Sequence, residues 1–324
     1  MISLFQDKLN NAITKINDLM LVDQSIETNL RTLFFKYVEK IGKGTFGFVV
    51  KIEENNTGNV FALKTVYEDN KHYYREKEIL ENLKSKHFVR LYEYAYFEES
   101  TEGRYVQLVL EYIPFSLRNL IISDRFDFLK KFYEGKENFV DEMVKDFMKQ
   151  GFEGLCYLHS FNIAHRDIKP ANILIDYDGK LKFCDLGSAK KLENKNNTTY
   201  ICSRYYRSPE NIIGLKNYTT KIDIWSFSLS IAEIITRKVI FKGQSNVNQL
   251  EKILNLLKIS QKDLLTMKLR RSKRETMGIK KYMKKYTSNK KLVEVFDKTI
   301  KFNFKKRRSA KQVLEMELFK KTVE

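Results

Sequence analysis

The 324-residue sequence is short of several residue types on which other classes of protein depend. Its three cysteines, Cys156, Cys184 and Cys202, are too few for a disulfide framework and too far apart for a cysteine metal knot. That usage fits a reducing compartment. Four scattered histidines argue against a structural zinc site. With three prolines, Pro114, Pro170 and Pro209, there is no proline-rich linker, and no internal repeat is visible. No apolar run reaches the roughly 20 residues of a membrane span. The opening MISLFQDKLNNAITKIND has no basic stretch ahead of an apolar run, so it does not read as a secretory signal.

Aromatic residues are abundant, with 23 Phe and 18 Tyr, and the 43% hydrophobic fraction can fill a core. This excludes a disordered tail or a fibrous repeat. The length suits one large domain or two lobes. The formal charge of +18 is uneven: residues 262–311 hold 19 Lys or Arg against four acidic residues, a net of +15. The charge therefore describes one face or tail, not the main chemistry. A solvated lysine-rich face is its plainest reading; a polyanion or acidic partner, or nuclear import, is the sharper one.

Along the chain, Ile2, Phe5, Leu9, Ile13, Ile16 and Met20 recur at helical steps and predict an amphipathic helix. It reads as a cap on the domain, with dimerisation or partner binding as alternatives. Residues 34–67 alternate β-rich runs with turns at GKG and NNTGN. A helix is predicted over 72–84, then strands in FVRLYEYAYFEE and RYVQLVLEYI. Beyond Pro114 the pattern is mostly helical, with short strands at NILID and LKFCD around the turn DYDG. KIDIWSFSLSIAEIITR is apolar on several sides and predicts a buried helix; VNQLEKILNLLKI and SAKQVLEMELFKK predict two more.

Five constellations carry chemistry. Gly42, Gly44 and Gly47 lie in GKGTFGFV between two strands, where a hairpin can bring backbone N–H groups close to phosphates. The following strand excludes a nucleotide-binding βαβ fingerprint. Lys64, in an apolar β-run, needs a counter-charge, and Glu76 on the following helix can supply it. In HRDIKPAN, Asp167 can accept a proton from a hydroxyl, Lys169 can neutralise a transferring phosphoryl group, and Asn172 offers a neutral metal ligand. Asp185 in DLG is a hard oxygen ligand suited to Mg²⁺. Ser208-Pro209-Glu210, Asp223 and Arg307 complete the set. Each alone is commonplace; their order and spacing are not.

In that order and spacing, over about residues 36–322, the sequence resembles a eukaryotic protein kinase. DLGSAK, YICSRYYRSPE, YTTKIDIWS and YLHSFNIAHRDIKPANILID closely resemble the glycogen synthase kinase 3, or shaggy-like, family. The resemblance implies an α+β bilobal fold. A helical extension at 1–31 would precede a small β-rich N-lobe at 32–113 and a larger helical C-lobe at 114–324. It implies a serine/threonine protein kinase that uses ATP and Mg²⁺, Lys169 marking the serine/threonine class.

The family roles carry over as follows. Gly42, Gly44 and Gly47 would cover the ATP phosphates, and Val49 and Ala62 the adenine. Leu110 would be the gatekeeper, and Glu111 to Ile113 the hinge. Lys64, paired with Glu76, would hold the α- and β-phosphates. Asp167 would accept the substrate proton, with Lys169 on the γ-phosphate and Asn172 and Asp185 on the metal. Leu80, His165 and Leu186 would stack as a spine, and Glu210 would pair with Arg307. Arg75, Arg166 and Lys190 match a pocket for a phosphate already on the substrate, about four residues C-terminal to the target. Tyr200 matches an autophosphorylated activation-loop tyrosine. A scaffold protein would dock at 247–259.

The sequence also departs from the family pattern. Leu186 replaces Phe, Ser208 replaces Ala, and one residue is missing between Lys190 and Tyr200. The stretch 266–306 is lysine-rich where the family carries proline. A cyclin-dependent-like kinase without primed preference is the rival reading, and a catalytically silent scaffold the distant one. The expected location is the cytoplasm, with entry into the nucleus left open.

Overall fold

A computed structural model of the chain describes residues 35–43, 47–69, 75–100, 103–193, 197–199, 201–266 and 276–320. The predicted helix at 2–20, Gly44, Tyr200 and residues 267–275 of the basic segment lie outside the described residues. The chain divides into two units: the first ends at Tyr112 and lacks Leu83–Phe88, which belong with the second. In that second unit Phe183 N donates to His87 O at 2.8 Å.

In the first unit the β-rich runs form an antiparallel sheet of β1 (Phe35–Lys43), β2 (Gly47–Glu54), β3 (Val60–Asp69), β4 (Leu91–Ser100) and β5 (Gly103–Glu111). Their order is β1-β2-β3-β5-β4. The NNTGN turn joins β2 to β3, with Gly58 at φ 71°, a left-handed conformation that glycine takes without penalty. Alternation sends Phe48, Val50, Ile52, Leu63, Ala95 and Val109 to one face, where they form a core. The opposite face carries Val49, Ala62, Lys64 and Leu110: Val49 lies opposite Lys64, and Ala62 opposite Leu110. The helix predicted at 72–84 is observed as α1 (Glu76–Asn82).

The second unit is built on two long helices, α3 (Phe139–Ser160) and α5 (Lys221–Thr236). Asn138 caps α3 by accepting from Asp141 N at 3.1 Å. Helix α5 is buried on nearly every side, as its apolar pattern predicts. It approaches α3 at Gly151, where a Cβ would stand 2.0 Å from the Phe227 ring. Phe227 also meets Phe152 edge-on at 5.0 Å and Phe183 at 5.6 Å.

Five short strands carry the site, one ahead of α3 and four between α3 and α5 in sequence. β6 (Phe115–Ser116), β8 (Ile173–Ile175) and β9 (Leu181–Phe183) form one small sheet. β7 (Ile163–Ala164) pairs with β10 (Lys190–Lys191) in another. Helix α2 (Leu117–Ser123), absent from the sequence reading, starts at Ser116, whose hydroxyl accepts from Asn119 N at 3.1 Å. α4 (Pro209–Ile212), α6 (Asn246–Leu256), α7 (Gln261–Thr266), α8 (Ile279–Met283), α9 (Lys290–Thr299) and α10 (Ala310–Leu314) complete the unit. The last predicted helix is broken: α10 stops at Leu314, and a separate 3₁₀ turn spans Glu317–Phe319.

The described part of the basic segment is no tail. Ile279, Met283, Leu292, Val293 and Phe296 are buried, while most of its lysines face water. Lys306 pairs with Asp263 at 2.7 Å, Lys291 with Glu317 at 2.8 Å and Lys301 with Asp297 at 3.0 Å. Among the described residues no helix is long and apolar enough to cross a membrane.

Candidate active site

In the first unit the strand lysine meets its predicted partner. Lys64 Nζ lies 2.6 Å from Glu76 Oε2, and the Glu76 side chain is fully buried. The pair joins β3 to the first turn of α1. A carboxylate this deeply buried is tolerated because an ammonium faces it. Gly47 is needed for a steric reason: a Cβ there would stand 1.9 Å from Thr65 O on the adjacent strand. Leu110 is buried at the end of β5, with Glu111 N donating to Arg90 O at 2.8 Å. Arg75 is exposed immediately before α1.

In the second unit the catalytic-motif backbone hangs on a buried carboxylate. Asp223, near the start of α5, accepts from His165 N at 2.8 Å, Arg166 N at 3.0 Å and His159 Nε2 at 2.9 Å. Arg166 has φ 68° and Asp185 φ 62°, left-handed conformations that cost a non-glycine residue free energy. The bond from Arg166 N to Asp223 holds the first of these in place. His165 is fully buried, its Nε2 3.0 Å from Cys184 O, which fixes the chain just before Asp185. Leu186 is buried at the same point.

Around Asp167 the polar groups converge. Lys169 Nζ is 2.7 Å from its Oδ2. Asn172 Nδ2 donates to Asp167 O at 2.9 Å and lies 3.3 Å from both Asp167 Oδ2 and Asp185 Oδ2. The amide nitrogen of Asn172 is thus turned toward these acidic oxygens, and among the described residues no donor reaches its Oδ1. That oxygen and the Asp185 carboxylate are hard donors of the kind Mg²⁺ selects. Mg²⁺ in phosphoryl-transfer sites takes one or two protein ligands and completes its shell with phosphates and water.

The sequence reading assigned no role to Ser203, yet this residue touches Asp167. Its N donates to Asp167 Oδ1 at 2.9 Å and its hydroxyl to the same oxygen at 3.1 Å. The only signal was a hydroxyl residue inside YICSRYYRSPE, 36 residues from Asp167. Arg207 secures this segment, donating to Ile201 O at 2.7 Å, Cys202 O at 2.8 Å and Asn246 Oδ1 at 2.8 Å. Cys202 has φ 64°, and burial, then the nearby Asp223 and Asp167 carboxylates, pushes its thiol up, so it stays protonated. Tyr206 is buried beside Glu233 of α5. Burial raises the Glu233 carboxyl to about 7, against the Tyr206 hydrogen bond and the Arg118 charge, which pull it down.

The predicted pair Glu210 and Arg307 is in contact at 2.7 Å, both side chains fully buried. Ser208 is buried too, and its Oγ finds no partner among the described residues. Arg166 Nε donates to Ser188 O at 2.6 Å and its Nη1 lies 3.4 Å from Tyr218 Oη.

This arrangement agrees with comparisons to known proteins. A family model described as protein kinase domain matches residues 35–319. The chain is 39% identical, over 90% of its length and 88% of the relative's, to the probable serine/threonine-protein kinase MRK1 homolog of Encephalitozoon cuniculi. It is 39% identical to the serine/threonine-protein kinase RIM11/MSD1 of Saccharomyces cerevisiae over 69% of this chain. It is 38% identical to glycogen synthase kinase 1 of Pyricularia oryzae over 73% of this chain. The match spans 59% of each of these two fungal relatives. The chain belongs to the protein kinase family, with the bilobal fold of that family. Within it the chain lies on the glycogen synthase kinase 3, or shaggy-like, branch, and it is an ATP-dependent protein kinase of the serine/threonine class.

Proposed function

We propose that this kinase acts on substrates already phosphorylated about four residues C-terminal to the target Ser or Thr. The observation that supports the reading is that the backbone carries two cations on neighbouring segments of the second unit. Lys190 of β10 lies opposite Ala164 of β7, two residues before Arg166. Arg166 in turn donates to Ser188 O, two residues before Lys190. An arginine fork and an ammonium so linked suit a phosphate dianion. Arg75 would be the third cation.

In the proposed mechanism Asp167 accepts the proton of the substrate hydroxyl. Ser203 on one oxygen and Lys169 on the other fix the direction of its carboxylate. Lys64, steadied by Glu76, and the glycines of the β1–β2 turn would bind the ATP phosphates, while Val49, Ala62 and Leu110 would line the adenine. Lys169 would draw negative charge from the γ-phosphate toward itself. Mg²⁺ bound with the nucleotide, on Asn172 and Asp185, would neutralise charge on the transferring group. Catalysis of this kind is positioning and charge stabilisation.

Two further parts of the reading concern partners. Along α6, Val247 is exposed and Leu250 and Leu254 are half-buried on successive turns, a strip that would receive a protein scaffold. Lys280, Lys281, Lys284 and Lys285 are all exposed in and after α8, a charge density that would receive an acidic partner. Phosphorylation of Tyr200 would add a charge of about −1.5 to −2 in the same stretch of sequence as Arg204 and Arg207.

The test of primed preference is kinetic. A serine peptide and the same peptide phosphorylated four residues after the target are compared as substrates for the wild type and for Lys190→Ala and Arg75→Ala. The primed peptide should be preferred, and either variant should lower its kcat/KM about tenfold or more. Equal turnover of the two peptides by the wild type would favour the cyclin-dependent-like alternative.

A further inference from the structure

Lys190 already has a partner. Its Nζ lies 3.3 Å from Glu193 Oε1, three residues along the chain. Nothing in the transfer reaction calls for a carboxylate there, and it opposes the purpose of a phosphate site. Its placement is fixed by the fold. Glu193 N donates to Asn197 Oδ1 at 3.3 Å, and Asn197 Nδ2 donates back to Glu193 O at 2.8 Å. The asparagine is itself buried, and its N donates to Lys216 O at 3.1 Å. A buried amide thus clamps the backbone of Glu193 from both sides and holds the residue beside Lys190. The side chain, by contrast, is 65% exposed and can swing into water.

We propose that Glu193 is a built-in competitor for the primed phosphate. Its carboxylate occupies Lys190 in the free enzyme and is displaced when a substrate phosphate arrives, so it sets how strongly primed substrates are preferred. The inference rests on the primed-substrate reading above. A phosphate monoester carries a charge of about −1.5 to −2 near neutral pH, against −1 for the carboxylate, so the ammonium favours the phosphate once it is present. Glu193 opposes binding in two ways: its ion pair must open, and its own charge repels the newcomer until it turns away. An exposed pair of this kind shifts an equilibrium by no more than about fivefold, so the residue tunes the preference and does not close the site. A substrate without the phosphate has no use for Lys190 and is not subject to the competition.

The experiment is steady-state kinetics on the full chain, with the primed and unprimed peptides, for wild type, Glu193→Gln, Lys190→Ala and the double variant. Glu193→Gln should raise the primed-to-unprimed ratio of kcat/KM by about threefold. The rise should shrink with added salt, because the exposed charges are screened. On the Lys190→Ala background the same substitution should change nothing, the signature of direct coupling. Thermal unfolding checks that each variant is folded. A wild type with no primed preference, in which Glu193→Gln uncovers one, also supports the inference. A primed preference abolished by Lys190→Ala but unmoved or lowered by Glu193→Gln overturns the Glu193 inference alone. No primed preference in either wild type or Glu193→Gln overturns both readings.

Discussion

Arg307 donates from Nη1 and Nη2 to the two carboxylate oxygens of Glu210, at 2.7 and 3.0 Å, across 97 residues of sequence. The guanidinium also donates to Lys221 O and Lys301 O and lies over the Trp225 ring at 5.1 Å. One fork thereby joins α4, the start of α5 and the turn before α10. Arg307→Ala should cost about 3–5 kcal/mol of stability, because it leaves a buried carboxylate unpaired. Glu210→Gln combined with Arg307→Met should cost less than the sum of the two single changes. Urea unfolding of the four proteins measures this, and additive costs would mean the two residues are not coupled.

Asp167 and Ser203 should separate in kinetics. Asp167→Asn removes the proposed proton acceptor and should lower kcat by about 10²–10⁴ while the fold persists. Ser203→Ala keeps the acceptor but loses one of the two bonds to its Oδ1, and should lower kcat by roughly tenfold. Circular dichroism would show both variants folded. Wild-type turnover in Asp167→Asn would exclude its role as acceptor.

Glu233 gives the stability of the second unit a pH dependence of known sign. Its carboxyl is raised to about 7 in the folded chain, first by burial, against 4.5 when unfolded. Below the unfolded value both states hold the proton. Between about 4.5 and 7 the unfolded chain releases it and the folded chain does not, so stability falls as pH rises through this window. The size is on the order of 3 kcal/mol, at about 1.4 kcal/mol per pH unit. Glu233→Gln should flatten that slope. Chemical denaturation at four pH values checks it, and an unchanged slope would assign the dependence to other groups.

The contact of α3 with α5 at Gly151 should tolerate no side chain. A Cβ at 2.0 Å from the Phe227 ring forces that ring out of its packing with Phe152 and Phe183. Gly151→Ala should lower stability by about 1–3 kcal/mol, although alanine favours the helix itself. Pairing it with Phe227→Leu should restore part of the loss, which differential scanning calorimetry would show.

Much of this was legible in the sequence. The resemblance grouped Val49, Ala62 and Lys64 around the nucleotide, and the observed strand register puts all three on one face of the sheet. The apolar surround of Lys64 called for a carboxylate, and Glu76 supplies it. The buried character of α5 followed from apolar residues on all its sides. Short elements were not legible: α2 and the two-residue strands β6, β7 and β10 carry too little periodicity to register. The hydrogen bond from Ser203 to Asp167 was equally invisible, since one serine in a loop has no pattern to announce its contact.

The sequence by itself determined the order of the elements and the residue types at the site, because both rest on local spacing and side-chain chemistry. The tertiary structure alone decided which distant groups meet. It set Asp223 against the backbone of His165 and Arg166, Arg307 against Glu210, and Glu193 against Lys190 under the clamp of Asn197. The first two contacts span 57 or more residues. The third spans three, yet its geometry depends on a buried asparagine anchored to Lys216. Such contacts form only when packing brings separate elements together and a buried charge or amide must find a partner.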